Sequence, residues 1–311
     1  KNHSYGEFIF DQSFARLASD MDLKYYPKLI GMSPYSPVEG YKFLYNLKYN
    51  KKEITKILID QIEDFSKRNN ILSCNFLYVN PEWGELLNEY GYSAWINTSS
   101  EWKAFGENNF DDFLSRFNSN QKRNIKRERK SIMDQGIKTK TYFGDQINRD
   151  ILINMHNLYK QHCERWGVWG SKYLTSKFFE NMIEAKNNLV IFSAFEEEKS
   201  DPIAMSICVH SKDNLWGRYW GSYKNINNLH FELCYYKPIE WAIKNQVKSF
   251  DPGAGGNHKR RRGFYAKKAI SMHKWFDSRM AKILEDWLHN INPIIQEDID
   301  RENKSIPFKL I

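Results

Sequence analysis

No stretch of this sequence is apolar for long enough to cross a bilayer. The longest strongly apolar run, "LVIFSAF" at 189–195, falls far short of the roughly 20 residues a membrane helix needs. Cysteine is scarce, with four residues at 74, 163, 208 and 234 and no C-x-x-C pair. That spacing argues against a zinc ribbon or a disulfide scaffold. The opening "KNHSYGEFIF" has neither the apolar core nor the small-residue cleavage site of a secretory signal, so a reducing, cytoplasmic setting is expected. His258 and His273 stand at no ligand spacing from other histidines or cysteines, and no metal site is expected. Internal repeats are absent. No Ser-His-Asp or Cys-His set can be assembled, which favours direct proton transfer over a covalent enzyme intermediate.

What the chain does have is length, aromatic bulk and positive charge. Its 311 residues exceed the usual size of one domain, so two compact units are expected. With 41% apolar and 15% aromatic residues it can bury a core and reads as globular. A net charge of +8 points to anionic partners such as RNA, a phosphorylated cofactor or an anionic surface, without choosing among them.

Periodicity gives an α/β reading. In the first part, "EFIF" (7–10), "KLIGM" (28–32) and "CNFLYV" (74–79) suit strands, and "PEWGELLNEYGY" carries helix start and stop signals at Pro81 and Gly91. "KEITKILIDQIEDFSKR" (52–68) places Ile54, Ile57, Leu58, Ile62 and Phe65 on one helical face. A second unit is placed from 108 onward, giving domains 1–107 and 108–311. It opens with two short helices, a Gly136 C-cap and a strand. Two further helices follow, at 149–166 and 171–185. Three strand-like runs, 189–197, 202–211 and 215–223, are separated by the polar turns "EKSD" and "KDN", as in an antiparallel meander. Then comes a helix that Pro238 must kink or restart, and a short strand, "KSFD".

Helix, strand, two helices, meander, helix, strand is the order expected of a GNAT-type acyltransferase domain. "HSYGEFIFDQSFA" (3–15), "YYPKLIGMSPYSPVEG" (25–40), "RNIKRERK" (123–130), "GRYWG" (217–221), "LHFELCYY" (229–236) and "FDPGAGGNHKRRRGF" (250–264) resemble the FemAB-like family of peptidoglycan biosynthesis or recognition proteins. The resemblance implies two tandem GNAT-like domains, the first truncated at its N-terminus in a chain that starts at Lys1. It also implies an N-acyltransferase or aminoacyltransferase with no tightly bound cofactor. Its co-substrate would be aminoacyl-tRNA or acyl-CoA, and its acceptor an amine, of a peptide or a cell-wall precursor. Relatives in the broader Fem group use aminoacyl-tRNA to extend the peptide stem of such a precursor. A noncatalytic module that binds peptidoglycan precursor or RNA is the alternative.

In Fem-type transferases a strand ends in an aspartate, a glycine-rich turn follows, and a basic-Gly-Phe segment comes next. Asp251, Gly253, Gly255, Gly256 and Arg262-Gly263-Phe264 resemble that layout. Acyl transfer to an amine needs an acceptor for the ammonium proton and donors for the developing oxyanion. Asp251 suits the first task, and Lys259 or Arg262 the second. The glycines would let backbone N–H groups approach a carbonyl or phosphate, with His258 beside them. The same stretch fails as a Walker loop and as a dinucleotide fingerprint. As the acetyl-CoA loop it fails at Tyr265. Where relatives are expected to read "GEHK", this chain reads "GNHK", so Asn257 lacks a carboxylate.

Three further groups stand out. "QKRNIKRERK" puts Lys122, Lys126, Arg129 and Lys130 on one helical face, and with Arg127 this stripe suits phosphates of a donor or simple solvation. Glu232 is polar amid apolar neighbours. It suits a base of raised pKa or the orientation of an acceptor amine, with Tyr236 and Arg218 as acceptor-side residues, or else a structural bridge to Arg218, which strand alternation puts on the same face as Trp220. His3 and Tyr5 alternate with Glu7 along one strand face, a second acceptor-side candidate or an exposed edge.

Overall fold

The computed structural model describes residues 1–5, 7–33, 36–170, 172–196 and 201–309, with side chains throughout except those of Val168, Trp169 and Asn257. The elements in chain order are α1 (Gln12–Asp20), β1 (Leu29–Gly31), α2 (Lys51–Arg68), β2 (Ser73–Phe76), α3 (Pro81–Glu89) and β3 (Ser93–Lys103). After them come α4 (Phe110–Ser115), α5 (Ser119–Asp134), β4 (Ile137–Phe143), α6 (Arg149–Glu164), α7 (Ser176–Asn181), β5 (Leu189–Glu196), β6 (Ala204–His210) and β7 (Asn214–Ser222). The chain ends with α8 (Leu229–Phe231), a π-helical turn (Glu232–Tyr236), α9 (Lys237–Lys244), β8 (Ser249–Asp251), β9 (Tyr265–Trp275) and α10 (Ser278–Lys304). The helices are fixed locally by capping: Asn50, Asn80, Asn109, Asn118, Asn148 and Thr175 each accept a first-turn N–H, a contact worth about 1 kcal/mol apiece.

Two compact units result, Lys1–Ser99 with Lys267–Arg301, and Ser100–Ala266 with Glu302–Ile311. The linear division at 107/108 therefore differs from the structure. β9 lies between β2 and β3, pairing Ser73↔Trp275 through Phe76↔Met272, so residues far along the chain complete the first unit's sheet. Its order is β1-β2-β9-β3. One face carries Phe14, Trp95, Trp275 and the α10 residues Met280, Leu284 and Leu288. The other carries Ile59, Phe76, Trp83, Leu87 and Met272. The sequence reading had no account of β3, β9 or α10. On α2 the helix matches but its buried side is turned: Thr55, Ile59 and Ser66 are buried, while Ile57, Leu58 and Phe65 are exposed.

Residues 7–10 form no strand. Phe8 has φ of 58° and is exposed with Phe10, whereas Glu7 is buried. Burial still alternates, with Glu7, Ile9 and Asp11 inside and the two phenylalanines outside, because the acids are drawn inward to cations. Lys28 Nζ lies 2.5 Å from Asp11 and 3.6 Å from Glu7, Lys1 Nζ lies 2.5 Å from Glu7, and the Tyr25 hydroxyl donates to Asp11 at 2.7 Å.

The second unit follows the expected order, with sheet order β8-β7-β6-β5-β4 and the end of β3 pairing Trp102↔Phe250. The run "LVIFSAF" is apolar at successive positions because both faces of β5 are covered. Val190, Phe192 and Ala194 face the core under α5 and α9. Leu189 and Ile191 face the α6 and α7 side with Leu158 and Phe179. Of the two meander turns, "EKSD" lies mostly outside the described residues. A Cβ on Gly221 would stand 2.2 Å from the Leu158 carbonyl oxygen, so only glycine lets the α6 backbone lie this close to β7. Of the two outcomes expected of Pro238, the structure shows the restart. The proline falls in the first turn of α9, and the π-helical turn before it accommodates a residue with no N–H to donate.

Candidate functional site

β7 and β8 run parallel and pair from Asn214↔Ser249 to Trp216↔Asp251, where the register ends while β7 continues to Ser222 along β6. Asp251 is thus the last residue of a strand at the point where two parallel strands part. The chain leaves through Pro252, turns at Gly253, Gly255 and Gly256, all at positive φ between 74° and 90°, and enters a 3-10 helix over Asn257–Arg262. The turn binds its own groups. Gly253 N–H donates to Asp251 Oδ1 at 2.8 Å, and Lys259 Nζ donates to the Gly253 carbonyl at 2.6 Å. The glycines therefore shape the loop, and the Gly253 backbone is committed within it. The Asn257 side chain lies outside the described set.

Asp251 and Lys259 are both buried. Burial lowers the Lys259 ammonium to about 8, against the raising influence of Asp251. Arg218, on β7 two residues beyond the last β8 pair, has its Nε and Nη2 buried with no hydrogen-bond acceptor among the described residues. Near them, burial and the neighbouring cations push His230 down to about 3 and lower His258 as well. His258 Nε2 is 3.0 Å from the Tyr235 hydroxyl. The arrangement is a cluster of buried cations beside two histidines whose imidazoles are held below their usual range.

Alongside it opens a cleft of about 510 Å³ lined by Gln121, Asn124, Arg127, Glu128, Phe231, His258, Arg261 and Arg262. A smaller recess continues past Asn118, Asn120, Ser305 and Pro307. Arg262 packs over Phe231, 3.4 Å from the ring centroid, and its Nη2 donates to both oxygens of the Glu128 carboxylate, at 2.8 and 2.9 Å. Tyr236 donates its hydroxyl to the same carboxylate. Arg127 and Arg261 are exposed in the wall.

Several expected site residues meet here and several do not. Asp251, Lys259, His258, Arg262 and Arg218 gather around the β7–β8 end, and Arg127 lines the cleft. Lys126 points elsewhere, exposed and 3.3 Å from Asp111. The expected cationic face of α5 is broken because Arg129 turns inward to Glu232 and Glu240, at 3.0 Å from each. Glu232 is thus bridged, but by Arg129 rather than Arg218. His3 and Tyr5 belong to the first unit, their rings stacked at 5.2 Å, on a segment without the strand alternation that had grouped them. Sequence reasoning missed Gln121, Asn124 and Glu128. Their spacing along α5 is a helical polar face, which was legible but masked by the denser cationic residues beside it.

Fold and site together define a chain built of tandem GNAT-like domains, with a polar cleft at the strand end of the second. The sequence profile of the FemAB-like family, described as peptidoglycan biosynthesis/recognition, matches residues 1–310, and the chain belongs to that family. No curated protein matches it. Among solved structures, L-PGS from Bacillus licheniformis is similar at 10% identity over 76% of this chain and 77% of that one, with a TM-score of 0.52. The C-terminal domain of a putative lysylphosphatidylglycerol synthetase from Agrobacterium fabrum is similar at 9% identity over 74% and 76%, with a TM-score of 0.50. FemX aligns at 12% identity over 82% and 85%, with a TM-score of 0.49. Among the described residues no helix is long and apolar enough to cross a membrane, and no group of three metal-binding side chains occurs.

Proposed function

We propose that the chain is an N-acyltransferase that moves an aminoacyl group from a phosphate-bearing carrier, aminoacyl-tRNA in the first instance and acyl-CoA as the competing donor, onto the amine of a peptide or cell-wall precursor. The observation that carries this reading is the placement of Asp251 at the parting of β7 and β8, with the buried Lys259 anchored on the same loop. The acceptor amine attacks the acyl carbonyl, and Asp251 takes the proton that the new ammonium must lose. Lys259 donates to the oxygen as negative charge develops on it, in a site where burial strengthens the interaction. The tetrahedral intermediate collapses by breaking the bond to the carrier oxygen or sulfur, which leaves with a proton.

Arg127, Arg261 and the paired Arg262 line the path for carrier phosphates. Glu232 is assigned a positioning part through Arg129, since that guanidinium already occupies its carboxylate. Incubating the protein with charged tRNA and, separately, with acyl-CoAs, each with an amine-bearing peptidoglycan precursor, tests the reading. Acceptor-dependent discharge of one carrier is expected. Binding of precursor without discharge of either carrier would instead establish the noncatalytic module.

A further inference from the structure

We propose that Arg218 forms the base of a carboxylate-binding subsite in the second unit, holding a carboxylate of one substrate through its Nε and Nη2 edge. This deepens the transferase reading, on which its place in the substrate path rests, but the binding is measurable without turnover.

The two N–H groups in question are the side-on edge with which a guanidinium grips a carboxylate through two parallel hydrogen bonds. Both are buried, and neither meets an acceptor among the described residues. A buried donor left unsatisfied costs stability that a native fold rarely forgoes without a reason. The local charge count gives the same direction. Arg218 and Lys259 bring two positive charges and Asp251 one negative, and Asp251 acts on both at a distance, with no ion pair to either among the described residues. Asp251 Oδ1 is instead held by the Gly253 N–H. Among the described residues no further acid redresses the balance, because the nearby Glu128 is taken by Arg262 and Tyr236, and Glu232 by Arg129. His230 and His258 bring no compensating anion. One excess positive charge therefore sits beside the candidate reacting centre, and a single carboxylate neutralises it. A phosphate dianion would overshoot the balance and leave oxygens without donors.

Two substrates could present that group: an acidic side chain on the aminoacyl donor, or the terminal carboxylate of a peptide acceptor. Calorimetric titration with acetate and succinate tests the chemistry. Glutamate α-methyl ester, with its free carboxylate on the side chain, mimics the donor, and N-acetylalanine mimics the peptide terminus. Saturable binding of the small carboxylates is expected, with one of the two mimics binding better and so naming the source. Arg218→Met should weaken that binding at least about tenfold without lowering the melting temperature, and Arg218→Lys should retain part of it.

The proposal is overturned if carboxylates bind the Arg218→Met protein as well as the parent, or do not bind the parent at all. Inorganic phosphate binding at Arg218 while carboxylates stay inert would also overturn it. So would an Arg218→Met protein that melts several degrees lower, since that result marks a structural charge. Carboxylate binding that persists while no carrier is ever discharged would remove the transferase reading and leave this one standing.

Discussion

Each unit buries a cluster of charge, and the two clusters are built on opposite terms. In the first, Glu7 and Asp11 face Lys28 and Lys1, two acids against two cations, tied further by Tyr25 and by a Lys28 bond to Ser4 at 2.8 Å. Glu7 Oε2 and Asp11 Oδ1 lack hydrogen-bond partners among the described residues, yet each carboxylate is bound through its other oxygen. In the second, Arg218 and Lys259 stand near one carboxylate that pairs directly with neither, and the unsatisfied atoms belong to a cation that cannot shed its proton. A cluster that balances its own charge serves the fold. One that leaves donors and charge unbalanced beside a cleft is arranged for something that arrives.

The sharpest way to break this comparison is to remove one cation from each cluster. Lys28→Met leaves the buried Asp11 carboxylate without its cation, while Glu7 keeps Lys1, and should cost about 3–5 kcal/mol of stability, read by urea denaturation. Lys259→Met removes excess charge and should leave stability within about 1 kcal/mol while abolishing most transfer. Equal destabilisation of both proteins would erase the distinction. Acid sharpens it further. Burial pushes the Asp11 carboxyl up, but Lys28 holds it below its usual value. Its stabilisation is present above the unfolded carboxylate range of about 3.9 and is lost as the pH falls through the lower folded value. Lys28→Met removes the main lowering influence and leaves burial to raise the Asp11 carboxyl, so the acid loss from this group should vanish and reverse, the variant gaining stability as the pH falls.

Next in size is Asp251→Asn, which keeps the shape and the Gly253 contact but cannot take a proton. Turnover should fall by about 10²–10⁴ with the melting temperature unchanged. Full activity in this variant would remove Asp251 from the proton path.

Lys259 gives a smaller effect with opposite signs in two measurements. Its folded value of about 8 lies below the unfolded one, so the unfolded chain binds more protons between about 8 and 10.4 and stability rises with pH in that window. The oxyanion role needs the charged form, so turnover should fall about tenfold per pH unit above 8. Turnover that climbs through pH 8 would instead make Lys259 a base.

The second unit was legible because its signals are local: a meander with short turns, a C-cap at Gly136, and apolar runs whose covered faces leave no alternation to misread. The first unit resisted for physical reasons. β9 joins its sheet from nearly 200 residues away, which no periodicity reports, and residues 7–10 are shaped by buried ion pairs rather than by apolar pattern. At the site, Asp251, Lys259 and Arg262 could be read from their loop. Partner choice could not. Whether Glu232 met Arg218 or Arg129 depended on how α5 rotates against the π-helical turn, and Arg129 lies 103 residues away in sequence.

The mildest prediction concerns the two sides of α5, where paired and spare cations stand one residue apart. Arg127 and, across the cleft, Arg261 are exposed in its wall, while Lys126 faces Asp111 outside it. If carrier phosphates track the wall, Arg127→Ala and Arg261→Ala should each raise the KM for the carrier several-fold, leave kcat unchanged, and lower the slope of log affinity against log salt by about one. Lys126→Ala should do none of this, because an exposed pair is worth little and its loss alters no cleft group. Equal effects from all three would show that the carrier responds to the overall charge of +8 rather than to a defined path, and the cleft would lose its claim to the donor.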